Sequence, residues 1–144
     1  MNPKAPYDGN RFLVVDDEYE HIEFLPDFLK AKGFQVDVAS NAGEALAYAD
    51  KRKYRCYLID LNIPLGDYQS NRELKSIEKD YVGLRVIQVI RTQGVSGAQV
   101  VAYSAHENNA IKSEIDLFSC RYIVKGRVRE LKDCIKSIVE RTAK

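Results

Sequence analysis

Four short apolar runs in this chain each lead into residues able to do chemistry. RFLVV (11–15) runs into Asp16, Asp17 and Glu18, and YRCYLI (54–59) runs into Asp60. AQVVAYS (98–104) ends on Ser104, and RYIVK (121–125) ends on Lys125. Singly, each is ordinary. An acidic pair after a strand caps a helix or sits in a solvated turn, a lone Asp forms a turn, a serine caps, and a lysine is a surface cation. Jointly Asp16, Asp17, Asp60, Ser104 and Lys125 put three carboxylates, one hydroxyl and one ammonium at the carboxyl ends of expected strands, where open parallel sheets bind their ligands. Neighbouring carboxylates raise one another's pKa unless a cation compensates, and Mg²⁺, which prefers oxygen ligands and keeps several waters, is the natural cation. A carboxylate can also attack phosphorus to form an aspartyl phosphate. The phosphoryl oxygens then need positive charge and hydroxyl donors, which Mg²⁺, Lys125 and Ser104 would supply. His21 and His106 are far apart in the sequence, so zinc chemistry has no support.

These groups need a scaffold that gathers strand ends. The continuous apolar run 11–15, FQVDVA (34–39), 54–59, 98–104 and 121–125 read as five strands covered on both faces. Between and after them, amphipathic spacing predicts five helices. Residues 18–32 carry Ile22, Leu25, Phe28 and Leu29, with Gly33 as a stop, and Pro26 should kink that helix or leave its first turns irregular. Asn41 and Glu44 form a capping-box-like pair before the second helix. Residues 84–91, 108–119 and 127–142 complete the set. Five strands alternating with five helices argue an α/β fold, a parallel sheet with right-handed crossovers and helices on both faces. Residues 65–82 break the rhythm. They are polar, with three basic and four acidic residues, and so long a connection is usually functional or mobile. A short helix around Arg72–Lys79 is expected within them.

Composition narrows the function classes. At 144 residues there is room for one domain, and 22 basic against 21 acidic residues leave a net charge of +1, which disfavours a strongly basic nucleic-acid binder. The first ten residues lack the apolar stretch of a signal peptide, and no run is long enough for a membrane span. Three cysteines without CxxC spacing read as reduced, mostly buried thiols in a cytosolic protein.

The segments FLVVDDE (12–18), LIDLNIP (58–64), VVAYSA (100–105) and YIVKG (122–126), in that order, resemble the receiver domain of bacterial response regulators. The resemblance spans about Arg11 to Ala143, with residues 1–10 as an N-terminal extension and 65–82 as an insertion. It implies a five-stranded parallel sheet of order 2-1-3-4-5, like the flavodoxin type, flanked by five helices. Asp60 would be the phosphoacceptor, and Asp16, Asp17, Asp60 and the backbone carbonyl of Asn62 would hold Mg²⁺. Ser104 would be the hydroxyl that turns toward the phosphoryl group, Lys125 its cation, and Tyr122 the aromatic whose rotation reports the switch. The implied donor is a sensor histidine kinase or a histidine phosphotransfer protein. The implied output is a docking surface for another protein, with a homodimer contact through the fourth helix, fifth strand and fifth helix. Apart from its own phosphorylation and dephosphorylation, no enzymatic turnover is expected. Direct DNA binding and membrane association are not expected either, and the implied location is cytoplasmic.

Three departures from the family pattern stand out. Gly126 follows Lys125 where proline is usual, which makes a cis bond there less expected. The insertion leaves the site rim after Pro64 and could cover the phosphoryl group or meet a partner. Pro26 lies on a helix that the family uses to dock kinases, which suggests altered partner choice. The last helix carries Arg127, Arg129, Lys132, Lys136, Arg141 and Lys144, a solvated face or a docking face for an acidic partner or a second copy. With the sequence ending at Lys144, the expectation is either a protein that works alone by docking to others or a receiver piece of a longer protein, and Met1 leans toward a stand-alone protein or an N-terminal receiver. A receiver-like module that acts without phosphorylation would lack an acid or the lysine, and all are present. A phosphatase would want a second acid where Asn62 stands, and a nucleotide binder a glycine-rich turn where the chain reads DDE.

Overall fold

The computed structural model describes residues 4–105 and 108–141. Its strands are β1 (Tyr7–Val15), β2 (Gln35–Ala39), β3 (Lys53–Asp60), β4 (Val100–Ser104) and β5 (Arg121–Val124). All pairings are parallel, in the order β2-β1-β3-β4-β5. The helices are α1 (Phe24–Ala31), α2 (Ala42–Lys51), α3 (Ser76–Asp80), α4 (Val82–Thr92), α5 (Asn109–Phe118) and α6 (Val128–Arg141). Side chains alternate across the sheet, so β1 sends Leu13 and Val15 to one face and Phe12 and Val14 to the other. The first face packs beneath α2, α4 and α5 through Leu46, Val86, Ile87, Ile90, Ile111 and Ile115. The second packs beneath α1 and α6 through Leu25, Leu29, Leu131, Ile135 and Ile138. Burial on both faces is why the strands read as unbroken apolar runs.

Several boundaries differ from the expected ones for local reasons. β1 begins at Tyr7, so residues 7–10 of the expected extension lie in the sheet. Tyr7 and Asp8 pair with Lys53 and Tyr54, and the register shifts before Phe12. The stretch 18–32 is not one helix but a 3-10 turn (Tyr19–Ile22) followed by α1. Pro26 is the third residue of α1, where its missing N–H has no intrahelical acceptor to lose. Asn41 caps α2 by accepting from the Glu44 N–H at 2.8 Å, while the Glu44 carboxylate reaches past it to the Ser40 N–H at 2.7 Å. His106 and Lys144 fall outside the described residues.

Polar contacts gather around Asp37 in the middle of β2. Its carboxylate accepts from Arg11 Nη1 at 2.9 Å and from the Tyr54 hydroxyl at 2.7 Å, and Arg52 lies 3.3 Å away.

The insertion is folded, and it follows the helical layer. The Ala42 and Gly43 N–H groups donate to Pro64 and Leu65 carbonyls at 3.0 and 3.1 Å, fastening its start to α2. Tyr68 Oη and Asn71 Oδ1 accept from the buried Arg85 of α4 at 3.0 and 2.9 Å, and Gln88 supplies a third neutral acceptor. Arg72 grips the buried Glu78 in a two-pronged pair at 2.8 and 2.7 Å. Lys75 comes within 4.0 Å of Glu114 on α5. The short helix forms four residues later than expected, at 76–80, because Glu78 folds back to accept from the Lys75 N–H and starts the turn there.

Candidate functional site

Register brings the acids together. Val15 lies opposite Ile59 and Asp60 opposite Tyr103, so Asp16, Asp60 and Tyr103 form a row across β1, β3 and β4 at the sheet's carboxyl edge. Asp16 is buried, at 1% exposure. Its Oδ1 accepts from the Glu18 N–H at 2.8 Å and its Oδ2 from the Tyr103 hydroxyl at 2.6 Å. Asp60 is fully buried. Its Oδ1 accepts from the Asn62 N–H at 2.9 Å and its Oδ2 from Lys125 Nζ at 2.8 Å. Lys125 also stands 4.0 Å from Asp16 Oδ2. Burial pushes the Asp60 carboxyl up to about 6, despite the Lys125 and Asn62 hydrogen bonds that favour its ionised form. Burial, reinforced by Asp16, also holds the Tyr103 phenol well above its ordinary value.

Asp17 is exposed at the rim, and carboxylate oxygens of Asp16, Asp17 and Asp60 lie within 4.8 Å of one another. Three oxygen donors around one point with a single lysine against them suit a hard divalent cation such as Mg²⁺. Asn62 is also exposed at this rim, its N–H turned to Asp60.

Ser104 is buried at the end of β4, where its carbonyl accepts the Lys125 N–H at 2.9 Å and so sets the start of the lysine loop. Ala102 pairs with Tyr122 and Ser104 with Val124. Alternation therefore puts Tyr122 on the same face as Ser104, half-buried against the cluster under α4 and α5. Tyr103 and Lys125 occupy the opposite face.

No described peptide bond is cis. Gly126 instead turns the chain into α6 at φ +94°, a conformation proline cannot adopt.

Asp16, Asp17, Asp60, Asn62, Ser104 and Lys125 lie at the carboxyl end of the sheet, and Tyr122 lies within β5, opposite Ala102. Two neighbours escaped the sequence reading. Tyr103 stood inside an apolar strand, and its one signal is that a buried tyrosine hydroxyl needs a partner. Gly83 packs against the backbone of Asp60 and Leu61 and donates its N–H to the Leu61 carbonyl at 3.0 Å; nothing in the pattern of 82–92 marks it.

Residues 12–136 match the response regulator receiver domain. The chain belongs to this family. Among curated relatives, the receiver is 27% identical to the transcriptional regulatory protein SrrA of Staphylococcus aureus over 135 residues, 93% of this chain and 49% of that protein. It is 38% identical to a response regulator receiver protein of Anaeromyxobacter over 69 residues, 47% of this chain and 29% of that one. The chain thus spans half or less of these relatives' length. The receiver domain protein of Methanospirillum hungatei superposes with a TM-score of 0.72 at 20% identity, covering 93% of this chain and 96% of that one. The response regulator TrrA of Thermotoga maritima, solved in complex with Mg²⁺-BeF, gives 0.65 at 27% identity, covering 90% and 98%. Among the described residues, no helix of this receiver is long and apolar enough to cross a membrane.

Proposed function

We propose that the protein is a phosphorylation-controlled signalling receiver whose Asp60 accepts a phosphoryl group from a phosphohistidine. The donor is a sensor histidine kinase or a histidine phosphotransfer protein. The observation that carries this reading is the 2.8 Å contact between Lys125 Nζ and Asp60 Oδ2 beside the Asp16–Asp17 pair. A buried carboxylate held by one ammonium, with further acids close by, is arranged for attack on phosphorus rather than for structural pairing alone.

In the transfer, a carboxylate oxygen of Asp60 bonds to phosphorus while the P–N bond breaks and its electron pair stays on the imidazole nitrogen. Lys125 exchanges the carboxylate for a phosphoryl oxygen, and Ser104 donates its hydroxyl to another. Asp16, Asp17, Asp60 and the Asn62 carbonyl are the residues that would hold Mg²⁺, which supplies positive charge against the phosphoryl oxygens. Hydrolysis of the aspartyl phosphate resets the site, and this self-directed chemistry is the only catalysis we assign.

The modification adds about two negative charges at one end of the sheet. Ser104 moves toward them, and Tyr122, on the same face, turns into the space it leaves. α5 and β5 shift with them, a local charge event that biases a two-state surface. That surface includes Leu117 of α5, 74% exposed, and would meet an output protein or a second copy through α5, β5 and α6. The reading implies a cytoplasmic location, signalling through protein contacts rather than by this segment binding DNA, and no membrane association.

Intact mass after incubation with a small acyl phosphate and Mg²⁺ tests the reading. One phosphoryl increment is expected on the wild type, and none on Asp60→Asn or without Mg²⁺. No increment with any donor would instead favour a module that docks without phosphorylation.

A further inference from the structure

We propose that Tyr103 is a positioning residue for the metal-binding acid Asp16, and that it reserves Lys125 for Asp60. The inference rests on the receiver reading above. It starts from one side chain that touches both charges. The Tyr103 hydroxyl donates to Asp16 Oδ2 at 2.6 Å, within the range of charge-assisted O–H···O⁻ bonds. Lys125 Nζ sits over the face of the same ring, 5.4 Å from its centroid.

The two contacts have one joint effect. Asp16 Oδ2 is satisfied by the phenol and stays 4.0 Å from Lys125, while Lys125 bonds Asp60 at 2.8 Å. With the Glu18 N–H on Oδ1, the Asp16 carboxylate is held from both sides. Each of its oxygens keeps lone-pair capacity for a cation. Without the phenol, a carboxylate that is 1% exposed would lose a donor. The nearest replacement is Lys125, already in the site. Asp16 would then draw the ammonium off Asp60 and oppose the cation it should attract. Removing such outer partners of metal ligands typically costs about 10–100-fold in metal affinity or activity.

Tyr54 provides an internal control. Its hydroxyl makes a similar bond, to Asp37 at 2.7 Å, from an equally buried position at the sheet's other end. The experiment is calorimetric titration of Mg²⁺ into the wild type, Tyr103→Phe, Tyr54→Phe, Asp16→Asn and the double variant Tyr103→Phe/Asp16→Asn. Circular dichroism checks the fold of each. Tyr103→Phe should weaken Mg²⁺ binding by about tenfold. Tyr54→Phe should lower the melting temperature and leave Mg²⁺ affinity at the wild-type value. In the Asp16→Asn background, Tyr103→Phe should change affinity no further.

Affinity of Tyr103→Phe within twofold of wild type would overturn the proposal, as would a further loss in the Asp16→Asn background. A Tyr103→Phe chain that does not fold would assign the residue a structural role and overturn it too. A wild type that takes up no Mg²⁺ would instead sink the receiver reading beneath it, a result distinct from a selective effect at Tyr103.

Discussion

Gly83 and Asp60 touch through their backbones. A Cβ built on Gly83 would lie 2.4 Å from the Asp60 carbonyl oxygen and 2.6 Å from the Leu61 Cα. α4 starts hard against the strand end that carries Asp60, with no space for a methyl group between them. Gly83→Ala must push α4 or the end of β3 aside. The expected cost is about 1–3 kcal/mol, the usual range for overpacking, read as a lower urea midpoint. Because the displaced atoms belong to Asp60, phosphorylation from a small donor should also slow.

Asp60→Asn should stabilise the protein in metal-free buffer at neutral pH. The folded-state pKa is raised from 3.8 to about 6, so between these values the folded chain binds more protons than the unfolded one. Wild-type stability therefore falls as pH rises through that window and levels off above it. The variant escapes this, so its advantage, about 1–3 kcal/mol at pH 7–8, should shrink as pH drops through 6 and vanish below about 4. Melting curves of both proteins from pH 3.5 to 8 check this. An advantage that grew toward acid pH would contradict it.

Tyr68→Phe should loosen the insertion while leaving the sheet intact. It leaves Arg85 Nε without its 3.0 Å acceptor in a buried position, at a cost of about 1–3 kcal/mol. Since the acceptor belongs to the insertion, the cost falls on that segment's opening rather than on the whole fold. Limited trypsin digestion should cut faster at Arg72, Lys75 and Lys79 than in the wild type. An unchanged cleavage pattern would count against the Arg85 anchor.

Replacing Gly126 with the proline that the family usually carries there should destabilise this chain. The residue holds φ +94°, and proline is confined near −65°. Substitution toward a family's common residue more often stabilises. Here the loop would have to be rebuilt, and a drop in melting temperature is expected. Gly126→Ala meets no atom within 4 Å and should cost about 1–2 kcal/mol from backbone strain alone.

The sheet and its reactive edge were legible because both follow from burial and topology. Strands such as 54–59 are covered on two faces and read as apolar runs, and parallel strands put their carboxyl ends at one edge. This is why Asp16, Asp60, Ser104 and Lys125 group together from the sequence alone. Tyr7 and Asp8 were not legible as strand, since pairing with Lys53 and Tyr54 recruits them without burying an apolar side chain. The insertion's course was hidden for a related reason. Its anchors, Arg85 and Glu78, are charged residues buried through specific partners, and hydrophobic periodicity carries no trace of such pairs. Tyr103 was masked by its own strand: alternation explains its ring, while its hydroxyl finds Asp16 across the sheet, a pairing that no spacing encodes.

The insertion fastened between β3 and α4 also bears on how the chain finds its fold. It lengthens the connection that must close before β4 can pair with β3, yet loop-closure entropy grows only logarithmically with length. Each doubling costs about 0.6 kcal/mol, so the added length of 65–82, which does not double the connection from Asp60 to Val100, costs less than about 0.6 kcal/mol. Its own contacts, Ala42 with Pro64 and Tyr68 with Arg85, join residues nearer in sequence than those paired across β1 and β3. They raise the share of short-range contacts, the kind associated with fast folding. Related chains could therefore lengthen, shorten or rewrite this segment while the five-stranded sheet assembles at nearly the same rate.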